Sequence, residues 1–508
     1  MGTDVAQNNQ KQDSTSGTEA KKQKRNLKPL WIVLAFVVLI TIVLLPNNGD
    51  LPVVGQRALA ILAFAVILWV TEAVTYPVSS AMILALIAVL LGLAPSMEDP
   101  SVQMGTSNAL KLALGGFSSS AVALVGAALF LAAAMQITNL HKRIALWVLS
   151  MVGTKTNALV FGAILVAIVL AFVVPSATAR AGAVVPILLG VVAAFGLSNQ
   201  SKLAALLVIT ATQAVSVWNV GIKTAAAQNL VALGFINSEF GVDISWGEWF
   251  LYAAPFSIIM SFVLYFVMIK LIKPETDNLV SGKDIIRKQL AELGPLKRKE
   301  ITLIITTLLL LVFWATEGKM HPFDTTTITL LAIAFLLTPK VGVFTWKEAS
   351  SRIDWGTLIV FAVGISLGTT LLNTKGAAWL SDTVFGSLGL DSMPILATIA
   401  LVTVFNIVIH LGFASATSLA SALIPVFIAL ALSLPMPVEN QIGFVLIQQF
   451  VICFGFLLPV SAPQNMLAYG TGAFTTKDFI KSGIPLTIVG YILILILAAT
   501  YWQWIGLL

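Results

Sequence analysis

Apolar runs of about twenty residues recur from residue 30 to the C-terminus, the length a helix needs to cross the hydrocarbon core of a bilayer. They lie at about 30–45, 54–74, 76–94, 117–137, 203–236 and 248–272. After a charged stretch at 274–300 they resume at about 301–316, 323–338, 355–373, 440–470 and 484–505. Two further runs, 157–197 and 392–434, are too long for one span and are broken near the middle by small and polar residues. Each reads as a re-entrant hairpin, entering and leaving the same face. The pattern predicts an all-α polytopic membrane protein with about eleven transmembrane helices and two re-entrant hairpins. After the first helix (29–50), residues 51–273 and 301–508 each hold five crossings and one hairpin, joined by a linker at 274–300. An odd number of crossings per unit makes the two units inverted repeats.

The two breaks match. Ser176-Ala177-Thr178 and Ser415-Ala416-Thr417 lie 239 residues apart, and each is followed at the same distance by a proline, Pro186 or Pro425. A second pair, Gln228-Asn229 and Gln464-Asn465, follows at an offset of 236, the latter behind Pro463. Two amphipathic segments, 138–153 and 374–389, also repeat at 236 and read as helices lying in the interface, or as ordinary loops. A tripeptide of small residues has no value alone. The paired context carries the signal, because discontinuous segments at corresponding positions of two halves point to a transport site.

Composition sharpens the class. Of 508 residues 58% are hydrophobic and 10% charged, with mean hydropathy +0.95, which excludes a soluble globular domain. The net charge of +6 does not point to nucleic acid, since the basic residues gather beside membrane segments. Lys21, Lys22, Lys24, Arg25 and Lys28 precede the first run, and Lys283, Arg287, Lys288, Lys297, Arg298 and Lys299 fill the linker. Both clusters are expected in the cytoplasm, with an even number of crossings between them and the C-terminus outside, in the cell membrane. Residues 1–28 have almost no apolar side chains and are expected to be a disordered tail without a signal peptide. The lone Cys453 has no intrachain disulfide partner.

Irregular backbone at membrane depth is tolerated only where it is buried in protein or lines a cavity. A helix that starts at such a break presents free N–H groups and the positive end of its dipole, and Ser and Thr add hydroxyl donors; that is an anion site without a charged side chain. Two such tips facing one another suit a small molecule with two anionic ends. The alternative is that Ser and Thr only let helices pack closely.

At these residues the chain resembles the divalent anion/sodium symporter family, which includes bacterial dicarboxylate carriers and plastid 2-oxoglutarate/malate translocators. The likeness covers about residues 50–508 and rests on the doubled tripeptide and on the stretch Pro459–Gly472. It implies a homodimer that works as an elevator, with a fixed scaffold and a moving transport domain built from both hairpins and both broken helices. It also implies that Ser176, Thr178, Ser415 and Thr417 contact substrate carboxylates. The family's usual tripeptide is Ser-Asn-Thr, whose Asn also serves the neighbouring sodium site, and Ala177 and Ala416 depart from it. In the second half Pro459–Pro463 resembles the unwound loop that helps bind sodium; the first-half counterpart, around Asn219–Thr224, does not.

Three basic residues stand near the motifs in sequence, Arg180, Lys223 and His410, whereas Glu72, the one acid found within the spans, is far from them along the chain. Intramembrane ionisable groups suggest function. The expectation is that these cations replace the sodium ions. The alternatives are that Arg180 reaches backbone carbonyls or the interface, that Lys223 snorkels, and that His410 is a neutral packed histidine. Fixed charge makes the empty carrier reluctant to move, so the expected activity is Na⁺-independent exchange of C4–C5 dicarboxylates such as succinate, malate, fumarate or 2-oxoglutarate. A Na⁺-coupled symporter and, in another class, an anion channel are the alternatives. No cofactor, metal or catalytic constellation is expected: there is no HExxH, GxGxxG or P-loop, and His141, His321 and His410 are scattered.

Overall fold

The computed structural model describes residues 27–47, 49, 51–153, 155–275 and 282–508. The expected disordered tail and part of the linker lie outside them. The described residues are helical throughout, with no β-strand. The first half comprises α1 (Lys28–Leu44), α2 (Val53–Thr71), α3 (Tyr76–Leu86, extended by a wider π turn over Ile87–Leu91), α4 (Thr106–Leu114) and α5 (Ser120–Thr138). It continues with α6 (Leu140–Met151), α7 (Thr156–Val173), α8 (Ala177–Ala194), α9 (Lys202–Gly221), α10 (Ala227–Phe240) and α11 (Trp246–Leu271). Helix α12 (Gly282–Glu292) occupies the linker. The second half holds α13 (Arg298–Ala315), α14 (Thr325–Leu337), α15 (Trp346–Ser350), α16 (Trp355–Asn373) and α17 (Gly376–Phe385). Then come α18 (Ile395–His410), α19 (Ala416–Ser433), α20 (Val438–Ile452), α21 (Pro463–Tyr469), α22 (Thr476–Ala499) and α23 (Tyr501–Trp504). Nine helices among the described residues are long and apolar enough to cross a membrane.

Burial sorts these helices into centre and rim. Every residue of α9 from Leu203 to Gly221 is buried, and so is α20 from Gln441 to Ile452, polar side chains included. On α13 the apolar residues Ile301, Ile305, Leu308, Leu309 and Val312 form a stripe at helical spacing that faces outward. An exposed apolar stripe of that length marks a surface for lipid or for another protein.

The two long runs are broken where the sequence predicts, α7 and α8 at Val174–Ser176 and α18 and α19 at Leu411–Ser415. The runs 203–236 and 440–470 are broken too, each by a short 3₁₀ turn, Lys223–Ala225 and Pro459–Ser461. Corresponding residues at the breaks share backbone angles. Ser176 and Ser415 have φ −149° and −136°, and Ala226 and Ala462 have −146° and −155°. Packing follows the same exchange: α8 lies on α9 and α21, and α19 on α20 and α10.

Two features, helix α4 and the helix in the linker, add to the pattern-based expectation. Helix α4, whose polar residues hide it from a search for long apolar runs, packs on α3 and α16, and the Gly116 N–H just beyond it donates to Ser366 Oγ at 2.9 Å. The amphipathic segments form helices α6 and α17, as the first of the two sequence readings has it. The linker carries a helix: α12 packs on α6 and α8, and Arg143 on α6 donates to the carbonyls of Leu293 and Gly294 and to the Glu300 carboxylate at 2.7 Å.

Candidate functional site

Each broken run starts its second helix with a serine that caps it. Ser176 Oγ accepts the Ala179 N–H at 3.2 Å and Ser415 Oγ accepts the Ser418 N–H at 3.3 Å. Each cap leaves the first N–H groups of α8 and α19 available. Both tips open on one cavity of about 960 Å³, lined by Ser176, Ala177, Thr178, Ser415, Ala416 and Thr417. Its size lies at the upper end of ordinary ligand pockets.

The other pair of breaks forms the rest of the wall. Gln228, Pro463 and Gln464 line the cavity, as do Asn219, Cys453 and Ser461. Asn229 and Asn465 do not, and the structure gives them another task. Asn229 Nδ2 donates to the Asn219 carbonyl at 2.7 Å and Asn465 Nδ2 to the Gly455 carbonyl at 2.7 Å. Each amide reaches ten residues back to a carbonyl that a broken helix leaves without its usual partner, which satisfies a buried acceptor. Crossed bonds tie the two breaks together: Gln464 Nε2 donates to Ser216 Oγ at 3.1 Å, Gln449 Nε2 to Asn229 Oδ1 at 3.1 Å, and Gln213 Nε2 to the Phe456 carbonyl at 3.0 Å.

The three cations part company. Arg180 is fully buried one layer behind the wall; its guanidinium donates to Asn219 Oδ1 and to the Ala225 carbonyl, while Nε and Nη1 have no partner. Among the described residues the one ion pair is Arg143–Glu300, so no acid neutralises Arg180 there. His410 lines the cavity with Nε2 3.4 Å from the Ser461 carbonyl. Lys223 must be corrected. Its ammonium turns away from the cavity to the Ile244 carbonyl at 2.6 Å and Thr325 Oγ1 at 3.4 Å, so the 3₁₀ turn that carries it aims it at the α10–α11 and α13–α14 connections.

A second correction concerns Glu72. Far from the motifs in sequence, it caps α2 in a left-handed conformation, φ 46°, and lies on the cavity wall. Tyr76, Gln136, Asn139, His141, Arg352 and Asp354 join it there. These residues come from α2–α3, α5–α6 and α15–α16, and no polar break marks them. Arg352 and Asp354 are exposed, so the cavity reaches the surface beside α6, the helix that Arg143 pins to the linker.

A family model described as "Sodium:sulfate symporter transmembrane region" matches residues 25–508. A membrane protein of Cupriavidus necator is 50% identical over 477 residues, 94% of this chain and 93% of its own. The citrate/succinate antiporter of Escherichia coli (strain K12) is 26% identical over 490 residues, 93% and 97% of the two chains. The sodium-dependent dicarboxylate transporter SdcS of Staphylococcus saprophyticus is 26% identical over 488 residues, 92% and 89%.

Proposed function

The chain belongs to the sodium:sulfate symporter family, the divalent anion/sodium symporters, and we propose that within it this protein is a Na⁺-independent exchanger of C4–C5 dicarboxylates. The observation that carries this reading is the convergence of two serine-capped helix tips on one cavity, with the unneutralised Arg180 behind them. Relatives of equal identity are named for exchange and for sodium dependence, so the mode of coupling has to be argued from this site. Ala177 and Ala416 supply no side-chain oxygen for a cation, and a fixed guanidinium repels one. Bound substrate offsets Arg180. Without substrate the buried charge would have to cross the low-dielectric barrier uncompensated, at several kcal/mol, so the loaded form moves and the empty form does not.

In this reading residues 51–273 and 301–508 are inverted repeats, joined by a cytoplasmic linker at 274–300, with the N-terminus inside and the C-terminus outside. The broken helices move together as an elevator against a scaffold in a homodimer, and the cavity, open on the linker's side, faces the cytoplasm. Radiolabelled succinate uptake into proteoliposomes, empty or preloaded with dicarboxylate, in choline or sodium buffer, tests it. Uptake should require internal dicarboxylate and ignore sodium, and Arg180→Ala should abolish it. Strong uptake into empty vesicles driven by a sodium gradient would leave the symporter standing instead.

A further inference from the structure

The broken helices meet the rest of the molecule through two kinds of contact. Along α16 the contact is of small and apolar side chains: Gly364 lies against Ser421, and Gly368 against Phe235 and Pro425. Ser421 Oγ has no hydrogen-bond partner there, so one body can slide past the other without breaking a directional bond. At the ends of α10 and α13 the contact is polar. Helix α11 packs along α9 and belongs with that broken helix. The Trp246 N–H that opens α11 donates to Glu317 Oε2 at 3.0 Å, and Thr325 Oγ1 donates to the same oxygen at 2.7 Å while facing the Lys223 ammonium at 3.4 Å. Lys223 stands on the 3₁₀ turn of the broken helix, and Glu317 and Thr325 stand on the α13–α14 connection. One carboxylate and one hydroxyl thus tie the broken helix to its surroundings, and the Trp246 indole stacks on Trp314 of α13 beside them, ring centroids 6.4 Å apart.

The seam has a side. Helix α11 ends and α13 begins at the linker, so each connection at their other ends, α10–α11 and α13–α14, lies across the molecule from it. The cavity opens on the linker's side, beside α6, so the polar seam joins the two bodies on the side where the cavity is shut. Movement that opens the cavity there would carry Lys223 and Trp246 away from Thr325 and Glu317. Resting on the elevator reading, we propose that Glu317 and Thr325 form a latch that holds the carrier open to the linker's side and sets the equilibrium between its two facing states. Neither residue lines the cavity. They are positioning residues for translocation, and the latch acts on the loaded carrier without touching the substrate.

Met466 is exposed on the cavity wall, so a cysteine there reports which side the cavity faces. The full-length Met466→Cys protein, in a Cys453→Ser background, is labelled with an impermeant maleimide in inside-out and right-side-out vesicles, with saturating succinate on both sides, and the ratio of linker-side to opposite-side labelling is read. Glu317→Gln and Thr325→Val should each lower that ratio about ten-fold, the loss of one hydrogen bond to a charged group. Asp478→Asn weakens a cap whose bonds to Thr475 stay at the start of α22, and should leave the ratio unchanged. A ratio that neither latch variant moves, or that Asp478→Asn lowers equally, overturns the latch and leaves the elevator reading intact. Labelling confined to the linker side in every arm overturns the elevator movement, and the latch with it. Succinate self-exchange, measured in parallel, tests the exchanger reading separately.

Discussion

Position decides what a polar residue at a break does. Thr178 and Thr417 occupy the first turn of α8 and α19 and face the cavity, whereas Asn229 and Asn465 face away and stitch the breaks. Substituting each class should therefore fail differently. Thr178→Val and Thr417→Val each remove a donor to an anion, worth about 1.5–3 kcal/mol, so dicarboxylate affinity should fall about ten-fold or more with the melting temperature unchanged; equal affinity in both variants would take the tips out of the site. Asn465→Leu leaves the buried Gly455 carbonyl unpaired, at about 1–3 kcal/mol, and should lower the melting temperature of the purified protein even without ligand. The same reasoning separates Arg180 from Lys223. Both are buried cations, but the Lys223 ammonium is engaged at Ile244 and Thr325, so Lys223→Met should leave some exchange where Arg180→Ala leaves none.

Helix ends explain how the elements hold their places. Glu317 accepts the Trp246 N–H that opens α11 at 3.0 Å and both the N–H and hydroxyl of Thr325 that open α14, at 2.8 and 2.7 Å. One carboxylate thus caps two helices and complements both dipoles. Glu317→Ala orphans these donors together, and thermal unfolding in detergent should drop by more than for a surface Glu→Ala control such as Glu439→Ala. A capping box also fixes α15 at the cavity mouth. Hydrogen bonds from the Thr345 backbone and hydroxyl hold the Glu348 carboxyl below its ordinary range. A carboxyl that binds protons less readily folded than unfolded adds stability above the ordinary carboxylate range and loses it as pH falls through the lowered value. The difference in unfolding midpoint between wild type and Glu348→Gln should accordingly be largest near neutrality and vanish in acid; a difference that persists at low pH would count against the box.

At the scale of the whole molecule, the elements α8–α11 and α18–α22 interlock through crossed amide bonds, while α16 meets α19 through closely approached small residues: a side chain at Gly364 would collide with Ser421. If the broken helices slide past α16 during transport, Gly364→Leu should stop exchange yet leave substrate binding measurable by thermal shift. Orientation has its own test. Single cysteines near residues 20, 285 and 507, in a Cys453→Ser background, should react with an impermeant maleimide outside intact cells only at 507; labelling at 285 would overturn the inverted arrangement.

The helical class and the positions of the two hairpin breaks were legible in the sequence, because a bilayer admits few backbone solutions and a polar interruption of an apolar run has few explanations. Helix α4 escaped because its polarity resembles a loop until α3 and α16 are packed around it. What only the tertiary structure decided is direction. Sequence spacing places Lys223 beside the motif and Glu72 far from it, yet the 3₁₀ turn sends Lys223 outward to Ile244 and the end of α2 brings Glu72 onto the cavity wall. Proximity along a chain fixes a backbone distance only; which face of a broken helix a side chain leaves by, and which distant helix end arrives opposite, follow from dihedral angles and packing that no linear pattern records.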